Sequence, residues 1–231
     1  MTLLFVAHGS PSPTYRAEAE ALLALWQMQH HGAKALLSYV EMEPYFHDVV
    51  SCATTPLLVM PLFLHEGKHY QDDVMAVVRH GLAEGKNIQV LPALTNPQTM
   101  ADVLLAQFQQ HSLKEAQLVL FSHGTRSDKK HAAVAAIADL IQQKTLKPCC
   151  IALAQGQPSL QQNLTDVVNA GASNIMILPH FIFGGAWQEK AQQVIDEINK
   201  NHGVDIILLS PMHVNPALLH VVSHQIALHN P

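Results

Sequence analysis

Charged residues are scarce in this chain, and the shortage restricts the partners that it can have. Asp, Glu, Lys and Arg make up 13% of the 231 residues, about half the share found in an average soluble protein. Clustered Lys and Arg are needed to bind nucleic acid or an anionic membrane through a basic face, and a formal net charge of −5 does not favour either partner. Because 48% of the residues are hydrophobic, the composition indicates a globular protein and not a disordered one.

Cysteine and long apolar runs are also lacking. The three cysteines, at positions 52, 149 and 150, are too few for a disulfide framework or a zinc ribbon. No apolar run reaches the roughly 20 residues of a membrane span, and the apolar start of the chain ends at His8 without a basic segment before it. We therefore expect a cytoplasmic protein, monomeric or homodimeric, that does not enter a membrane.

Motifs for nucleotides and for acyl transfer are missing as well. No G-x-G-x-x-G follows a predicted strand and no Walker-type phosphate loop occurs, so no organic cofactor is predicted. Ser10 or Ser122 is conceivable as the nucleophile of a hydrolase, but the G-x-S-x-G elbow that would support this role is absent. A hydrolase is therefore the weakest of the functions considered.

Short apolar runs alternate with amphipathic stretches along the chain, which is typical of parallel strands joined by crossover helices. In the first half this pattern predicts four strands, each followed by a helix. The strands cover residues 3–7, 35–40, 57–63 and 88–91, and the helices cover residues 15–29, run from 45, from about 72, and from 97 to about 110.

The second half repeats the first. Residues 3–10 (LLFVAHGS) match 118–125 (LVLFSHGT), residues 59–63 (VMPLF) match 177–181 (ILPHF), and Asn96-Pro97 matches Asn215-Pro216. We predict an α/β protein of two similar tandem domains, residues 1–113 and 114–231. Each would be a four-stranded parallel sheet flanked by helices, with a cleft between the two domains.

Two histidines of the first half follow predicted parallel strands. His8 comes directly after the first strand, and His69 follows the third. Ligands of open parallel sheets bind at the carboxyl ends of the strands, so the two imidazoles are expected to converge there. Imidazole binds divalent Co, Ni, Fe and Zn and is a base near neutral pH, which suits metal handling coupled to proton transfer. The alternative is that one of the histidines caps a helix or bonds a backbone carbonyl.

The second half keeps only one of these histidines. His123 stands in the position of His8, whereas Trp187 replaces His69. We therefore place the single active centre in the first half. Trp187 either forms an aromatic wall of the cleft or packs between the domains, and the sequence favours neither.

Three ordered motifs resemble those of a known family. They are residues 7–10 (AHGS), 40–44 (VEMEP) and 60–64 (MPLFL), the last followed by residues 67–69 (GKH). Together they are similar to the sirohydrochlorin chelatases, the class II chelatases of cobalamin and siroheme synthesis, in their long form of two fused copies. The resemblance implies chelatase-like α/β domains around a tetrapyrrole cleft. It also implies that His8 and His69 bind the substrate metal, Co²⁺, Fe²⁺ or Ni²⁺, and receive the pyrrole protons.

Further residues are predicted to contact the tetrapyrrole. Arg or Lys at the rim of the cleft suits the carboxylates of sirohydrochlorin. At the second strand end, Glu41 or Glu43 either supplies a carboxylate ligand or base, or Glu43-Pro44 merely opens a helix. The predicted contacts are Ser10, Glu41, Lys68, His123 and Trp187. The main alternative is a non-catalytic carrier or storage protein for metal or tetrapyrrole, with His65, Glu66 and His69 as a binding loop.

Overall fold

Strands and helices of the first half occur in the predicted order. The structure, a computed structural model, describes residues 1–109, 116–124 and 128–229, with the side chains of residues 128–130 left out. A π-helical turn, His69–Val74, leads directly into the third helix. The elements are β1 (Thr2–Ala7), α1 (Pro13–Gln29), β2 (Ala35–Tyr39), α2 (Phe46–Cys52), β3 (Leu57–Pro61), α3 (Met75–Ala83), β4 (Ile88–Val90) and α4 (Pro97–Phe108).

The second half has the same elements in the same order, as the internal repeat predicts. A short 3₁₀ turn, Met212–Val214, precedes the last helix. The elements are β5 (Gln117–Ser122), α5 (Asp128–Thr145), β6 (Cys149–Leu153), α6 (Leu160–Asn169), β7 (Asn174–His180), α7 (Gly185–His202), β8 (Asp205–Leu208) and α8 (Pro216–His229). Among the described residues, no helix is both long and apolar enough to cross a membrane.

Each half contains one parallel sheet. The strand order is β2-β1-β3-β4 in the first sheet and β6-β5-β7-β8 in the second. In the first sheet Leu4 pairs with Leu36 on one side and with Val59 on the other. The two central strands are almost wholly inaccessible, with Val59 and Leu4 at 0% exposure, which explains their continuous apolar sequence. The predicted α/β fold of two four-stranded parallel sheets is confirmed.

The strand order fixes where a ligand can reach the first sheet. The chain runs outward from β1 to β2 and then returns to β3 on the other side of β1. At such a switch point the loops after the two central strands diverge and leave a crevice at their carboxyl ends. His8 follows β1 and His69 lies on the segment after β3, so both belong to this crevice.

The compact units of the structure differ from the repeats at one helix each. One unit contains Met1–Thr95 and α8 from Leu218 onward, and the other contains Asn96–Ala217. In the first unit, His30 Nε2 lies 2.8 Å from Ser223 Oγ of α8. In the second, Asn215 Nδ2 donates to the carbonyl of Val103 of α4 at 2.7 Å. The boundary predicted between residues 113 and 114 lies outside the described residues and stays a prediction.

Candidate metal centre

The turn after β1 fixes one nitrogen of His8. Gly9 has φ +96°, a conformation that side chains disfavour, and a Cβ on it would come within 2.9 Å of Met42 Cγ. His8 Nδ1 lies 2.9 Å from the Gly9 carbonyl oxygen, which can only accept, so Nδ1 carries the proton. The alternative of a histidine bonded to a backbone carbonyl therefore holds for Nδ1 alone. Nε2 keeps its lone pair for a ligand.

Backbone hydrogen bonds bring Glu41 to the same place. The His8 carbonyl accepts from the N–H of Val40 at 3.1 Å and from that of Glu41 at 2.9 Å, which joins the ends of β1 and β2. Glu41 Oε1 then lies 3.6 Å from His8 Nε2 and 3.8 Å from His69 Nδ1. The Glu41 side chain is 50% exposed, so its carboxylate is accessible from solvent.

His69 begins a helical turn, and the prediction of a loop followed by a helix from about residue 72 is wrong. The turn is anchored by Tyr70 and Val74, which are 7% and 0% exposed. Its π geometry is seen in the Met75 N–H, which donates to the Tyr70 carbonyl five residues earlier. Turns of this kind occur often at functional sites. Here the turn places His69 and Asp73 side by side.

Asp73 fixes the second imidazole. Its Oδ2 lies 2.9 Å from His69 Nδ1. A carboxylate only accepts hydrogen bonds, so Nδ1 of His69 is the protonated nitrogen and Nε2 is free to bind a ligand. The sequence analysis did not identify Asp73. The available signal was its spacing of four residues from His69, which brings two side chains together only where the segment is helical.

The three groups form a compact open cluster. The rings of His8 and His69 meet edge to face with their centroids 4.2 Å apart and an interplanar angle of 88°. One ligand atom from each of His8, Glu41 and His69 lies within 4.8 Å of the others. A metal bound at about 2.0–2.1 Å would draw these atoms closer together. Side-chain exposures of 35% for His8 and 48% for His69 leave room for an ion to enter.

Negative charge around the cluster favours a cation over an anion. Two carboxylates, Glu41 and Asp73, flank the imidazoles. The Tyr15 hydroxyl accepts from the Gly9 N–H at 3.3 Å, and burial raises the pKa of this hydroxyl above its usual range. Tyr15 therefore supports the turn as a neutral group, and the negative charge beside the imidazoles comes from the carboxylates.

The other residues predicted in the first half lie on the loops around this cluster. Ser10 is partly buried: its N–H faces Met42 Sδ at 3.4 Å, and its hydroxyl accepts from the Ser12 N–H at 3.3 Å. These contacts hold the turn after His8. Lys68 is exposed and directly precedes the π-helical turn.

The second unit retains the frame of the site without its groups. His123 Nδ1 lies 3.1 Å from the Gly124 carbonyl, and its ring meets that of Trp187 edge to face at 5.6 Å. The Gln155 N–H donates to the His123 carbonyl at 2.8 Å, so Gln155 occupies the position of Glu41. Ala191, 1% exposed, stands where Asp73 stands in the first unit. One imidazole is therefore left without the carboxylates.

Trp187 packs within its own unit. It is partly buried against the apolar core of the second unit. Its ring also lies under Lys190, whose Nζ is 4.5 Å from the ring centroid, at the range of a cation–π contact. These contacts account for a packing role within the unit.

Two repeated parallel sheets, with paired imidazoles and a carboxylate at the switch point of one of them, define an α/β protein of the chelatase-like class. The family model CbiX matches the chain twice, over residues 2–111 and 117–228. The chain therefore belongs to the CbiX family, and the resemblance predicted from the three motifs is confirmed.

Solved structures share this fold along the whole chain. The sirohydrochlorin chelatase SirB from Bacillus subtilis subspecies spizizenii, in complex with cobalt, has a TM-score of 0.77 and 18% identity, covering 100% of this chain and 96% of that chain. SirB from Bacillus subtilis with Fe³⁺ has a TM-score of 0.78 and 18% identity, covering 98% and 94%. CbiX, the terminal enzyme of siroheme biosynthesis in denitrifying bacteria, has a TM-score of 0.65 and 19% identity, covering 100% of both chains. No curated protein sequence gives a significant match.

Proposed function

We propose that this protein is a sirohydrochlorin chelatase that inserts Co²⁺ or Fe²⁺ into its tetrapyrrole substrate. The observation that carries the proposal is the convergence of His8, His69 and Glu41 on one point at the carboxyl edge of the first sheet. Membership of the CbiX family supports the reaction class. The chelatases named above, one with cobalt and one with Fe³⁺, support the choice of metal.

The reaction needs a ligand set that releases its metal and accepts protons. Two pyrrole N–H bonds break and two protons leave the ring, while the divalent ion exchanges its water and protein ligands for the ring nitrogens. Neutral imidazoles fulfil both needs, because each binds the ion through a lone pair and takes up a proton once that lone pair is free. A set of two imidazoles and one carboxylate holds a metal less firmly than a cage of thiolates, so transfer to the tetrapyrrole remains favourable.

The proposed roles of these residues follow from their hydrogen bonds. His8 and His69 present Nε2 to the metal because their Nδ1 protons are held by the Gly9 carbonyl and by Asp73. Glu41 supplies a third ligand and carries negative charge that offsets the incoming dication. Asp73 is a positioning residue that acts through His69, as carboxylates behind metal-binding histidines commonly do.

The contacts with the tetrapyrrole stay predictions from the sequence. Sirohydrochlorin carries several carboxylates, and the exposed ammonium of Lys68 next to His69 suits one of them. Ser10, His123 and Trp187 are the other predicted contacts. Of these, we expect His123 to affect binding more than turnover, because Trp187 stands beside it where the first unit has His69.

Metal insertion is tested most simply by visible absorbance under anaerobic conditions. Purified protein is mixed with sirohydrochlorin and with Co²⁺, Fe²⁺ or Ni²⁺ in separate reactions, at a large excess of substrate over protein. We expect many turnovers with Co²⁺ or Fe²⁺. Loss of turnover in His8→Ala and in His69→Ala is then compared with His80→Ala. This variant is the matched control, since His80 is an exposed histidine of the same unit that pairs with Glu84. Metal or tetrapyrrole bound in stoichiometric amounts without turnover would instead identify a carrier protein.

A further inference from the structure

A second pair of histidines lies on α8, far along the chain from His8, Glu41 and His69. Of the sixteen histidines, only two pairs are spaced by four residues, His65 with His69 and His220 with His224. His65 precedes the π-helical turn in a bend, so helical spacing does not apply to the first pair. His220 and His224 both lie within α8, where residues four apart are neighbours on one face.

The face of α8 that carries this pair is open to solvent. The helix packs through its buried residues Leu218, Leu219, Val222 and Ile226, whereas His220 and His224 are exposed. The sequence of α8 contains no Asp, Glu, Lys or Arg. Imidazoles are therefore the principal metal-binding groups of this face, and no charge on the helix itself competes with a bound cation.

The two rings are already arranged side by side. Their planes are within 17° of parallel, and their centroids lie 6.4 Å apart. With metal–nitrogen bonds of about 2.0–2.1 Å, two imidazoles can share an ion when their centroids are roughly 6 Å apart or closer. Both side chains are exposed, so a small rotation about their χ angles is enough to bring two nitrogens onto one ion.

We propose that His220 and His224 form a second site, which binds one divalent transition metal ion through two imidazole nitrogens and otherwise through water. Imidazole pairs select Ni²⁺, Co²⁺, Cu²⁺ or Zn²⁺ over Mg²⁺ and Ca²⁺, which prefer oxygen ligands. The two ligands share one rigid helix, so the second nitrogen binds at a high effective concentration once the first is bound. This site does not depend on the proposed chelatase reaction.

The test uses Ni²⁺ as the probe and removes the first site from the measurement. Isothermal titration of Ni²⁺ into His8→Ala/His69→Ala protein is compared with the same protein carrying His220→Gln and His224→Gln as well. The matched control carries His47→Gln and His80→Gln instead, which are exposed histidines of the same unit that are not spaced by four residues. Circular dichroism checks that each variant is folded, and Mg²⁺ replaces Ni²⁺ in a parallel titration.

We expect one Ni²⁺ per chain in the His8→Ala/His69→Ala protein and in the control. Loss of His220 and His224 should weaken this binding about a hundredfold or more, because the effective concentration of the second ligand is lost. Each single variant should lose most of the affinity as well. No Ni²⁺ binding in the His8→Ala/His69→Ala protein would overturn the proposal, and so would binding that is the same with and without the pair on α8. Chelatase activity of the unmodified protein is measured separately, so either proposal can fail without the other.

Discussion

Replacing Asp73 with Ala isolates the contribution of a residue that does not reach the metal in the proposed mechanism. The change removes the carboxylate oxygen that lies 2.9 Å from His69 Nδ1. His69 then loses the partner that holds its proton on Nδ1 and its lone pair on Nε2. Glu41 Oε1, at 3.8 Å from the same nitrogen, becomes an alternative acceptor. A shift of Glu41 toward His69 would draw its carboxylate away from the metal.

The size of the effect follows from the exposure of the pair. Groups that orient metal-binding histidines typically contribute 10- to 100-fold to metal affinity or activity, or about 1.4 to 2.7 kcal/mol. The side chains of Asp73 and His69 are 41% and 48% exposed, so water weakens their interaction. We therefore expect the lower end of that range, about a tenfold fall in kcat/KM for Co²⁺.

The assay is anaerobic metal insertion into sirohydrochlorin at varied Co²⁺. Asp73→Asn keeps an oxygen that accepts the Nδ1 proton and should recover most of the activity. The matched control is Glu84→Ala, which removes a carboxylate 3.3 Å from His80 at the same spacing of four residues on the same segment. This control should leave kcat/KM unchanged.

Two results would refute the reasoning about Asp73. An unchanged kcat/KM in Asp73→Ala would show that His69 needs no support from this carboxylate. An equal loss in Asp73→Asn and Asp73→Ala would show that negative charge matters and the orienting hydrogen bond does not.

Three further predictions concern the second unit. Gly124→Ala should lower the free energy of unfolding by roughly 2–4 kcal/mol in urea titrations, because its Cβ would lie 1.9 Å from the Gln155 carbonyl oxygen at a positive φ of 84°. Burial lowers the pKa of His213 below its usual 6.5. As the pH falls below 6.5, the unfolded chain therefore takes up this proton before the folded chain does, which lowers the free energy of unfolding. This loss of stability should be smaller in His213→Gln than in the unmodified protein. Trp187→His should not restore chelation to His8→Ala protein in the anaerobic assay, because Gln155 supplies no carboxylate in place of Glu41.

Each of these three predictions has its own contradicting outcome. A Gly124→Ala protein as stable as the unmodified one would mean that the turn relaxes without cost, and Gly203→Ala is the control because its Cβ would meet nothing within 4 Å despite a positive φ. Parallel stability curves for His213→Gln and the unmodified protein between pH 7 and pH 5 would remove His213 as a source of the pH dependence. Measurable turnover in the His8→Ala/Trp187→His protein would show that two imidazoles are sufficient without a carboxylate.

The pairing of His8 with His69 could be predicted because both residues follow parallel strands of the same half. Apolar runs predicted β1 and β3 as parallel strands, and the carboxyl ends of parallel strands meet at one edge of the sheet. The hydrogen bonds that the N–H groups of Val40 and Glu41 donate to the His8 carbonyl follow from the same pairing of β1 with β2. Strand order and sheet edge thus determined the position of three groups on distant segments.

Asp73 could not be found in this way, because its position depends on the local conformation of one turn. Helical periodicity indicated a helix from about residue 72, while the buried anchors Tyr70 and Val74 extend the helical turn back to His69. The pattern of a π-helical turn has no distinct sequence signal. An amphipathic pattern likewise gives α4 and α8 an apolar face without specifying which compact unit each helix joins.

The measurement that tests the central claim most directly compares kcat for His8→Ala and His123→Ala with sirohydrochlorin and Co²⁺ at saturating concentrations. The two histidines occupy the same turn of the two units and make the same hydrogen bond to the following carbonyl, so their backbone settings are matched. If the metal centre lies in the first unit, His8→Ala should lose at least about a hundredfold in kcat, while His123→Ala keeps its kcat within about threefold and changes KM instead. Equal losses of kcat, or a loss in His123→Ala alone, would contradict the assignment of the metal centre to His8, Glu41 and His69.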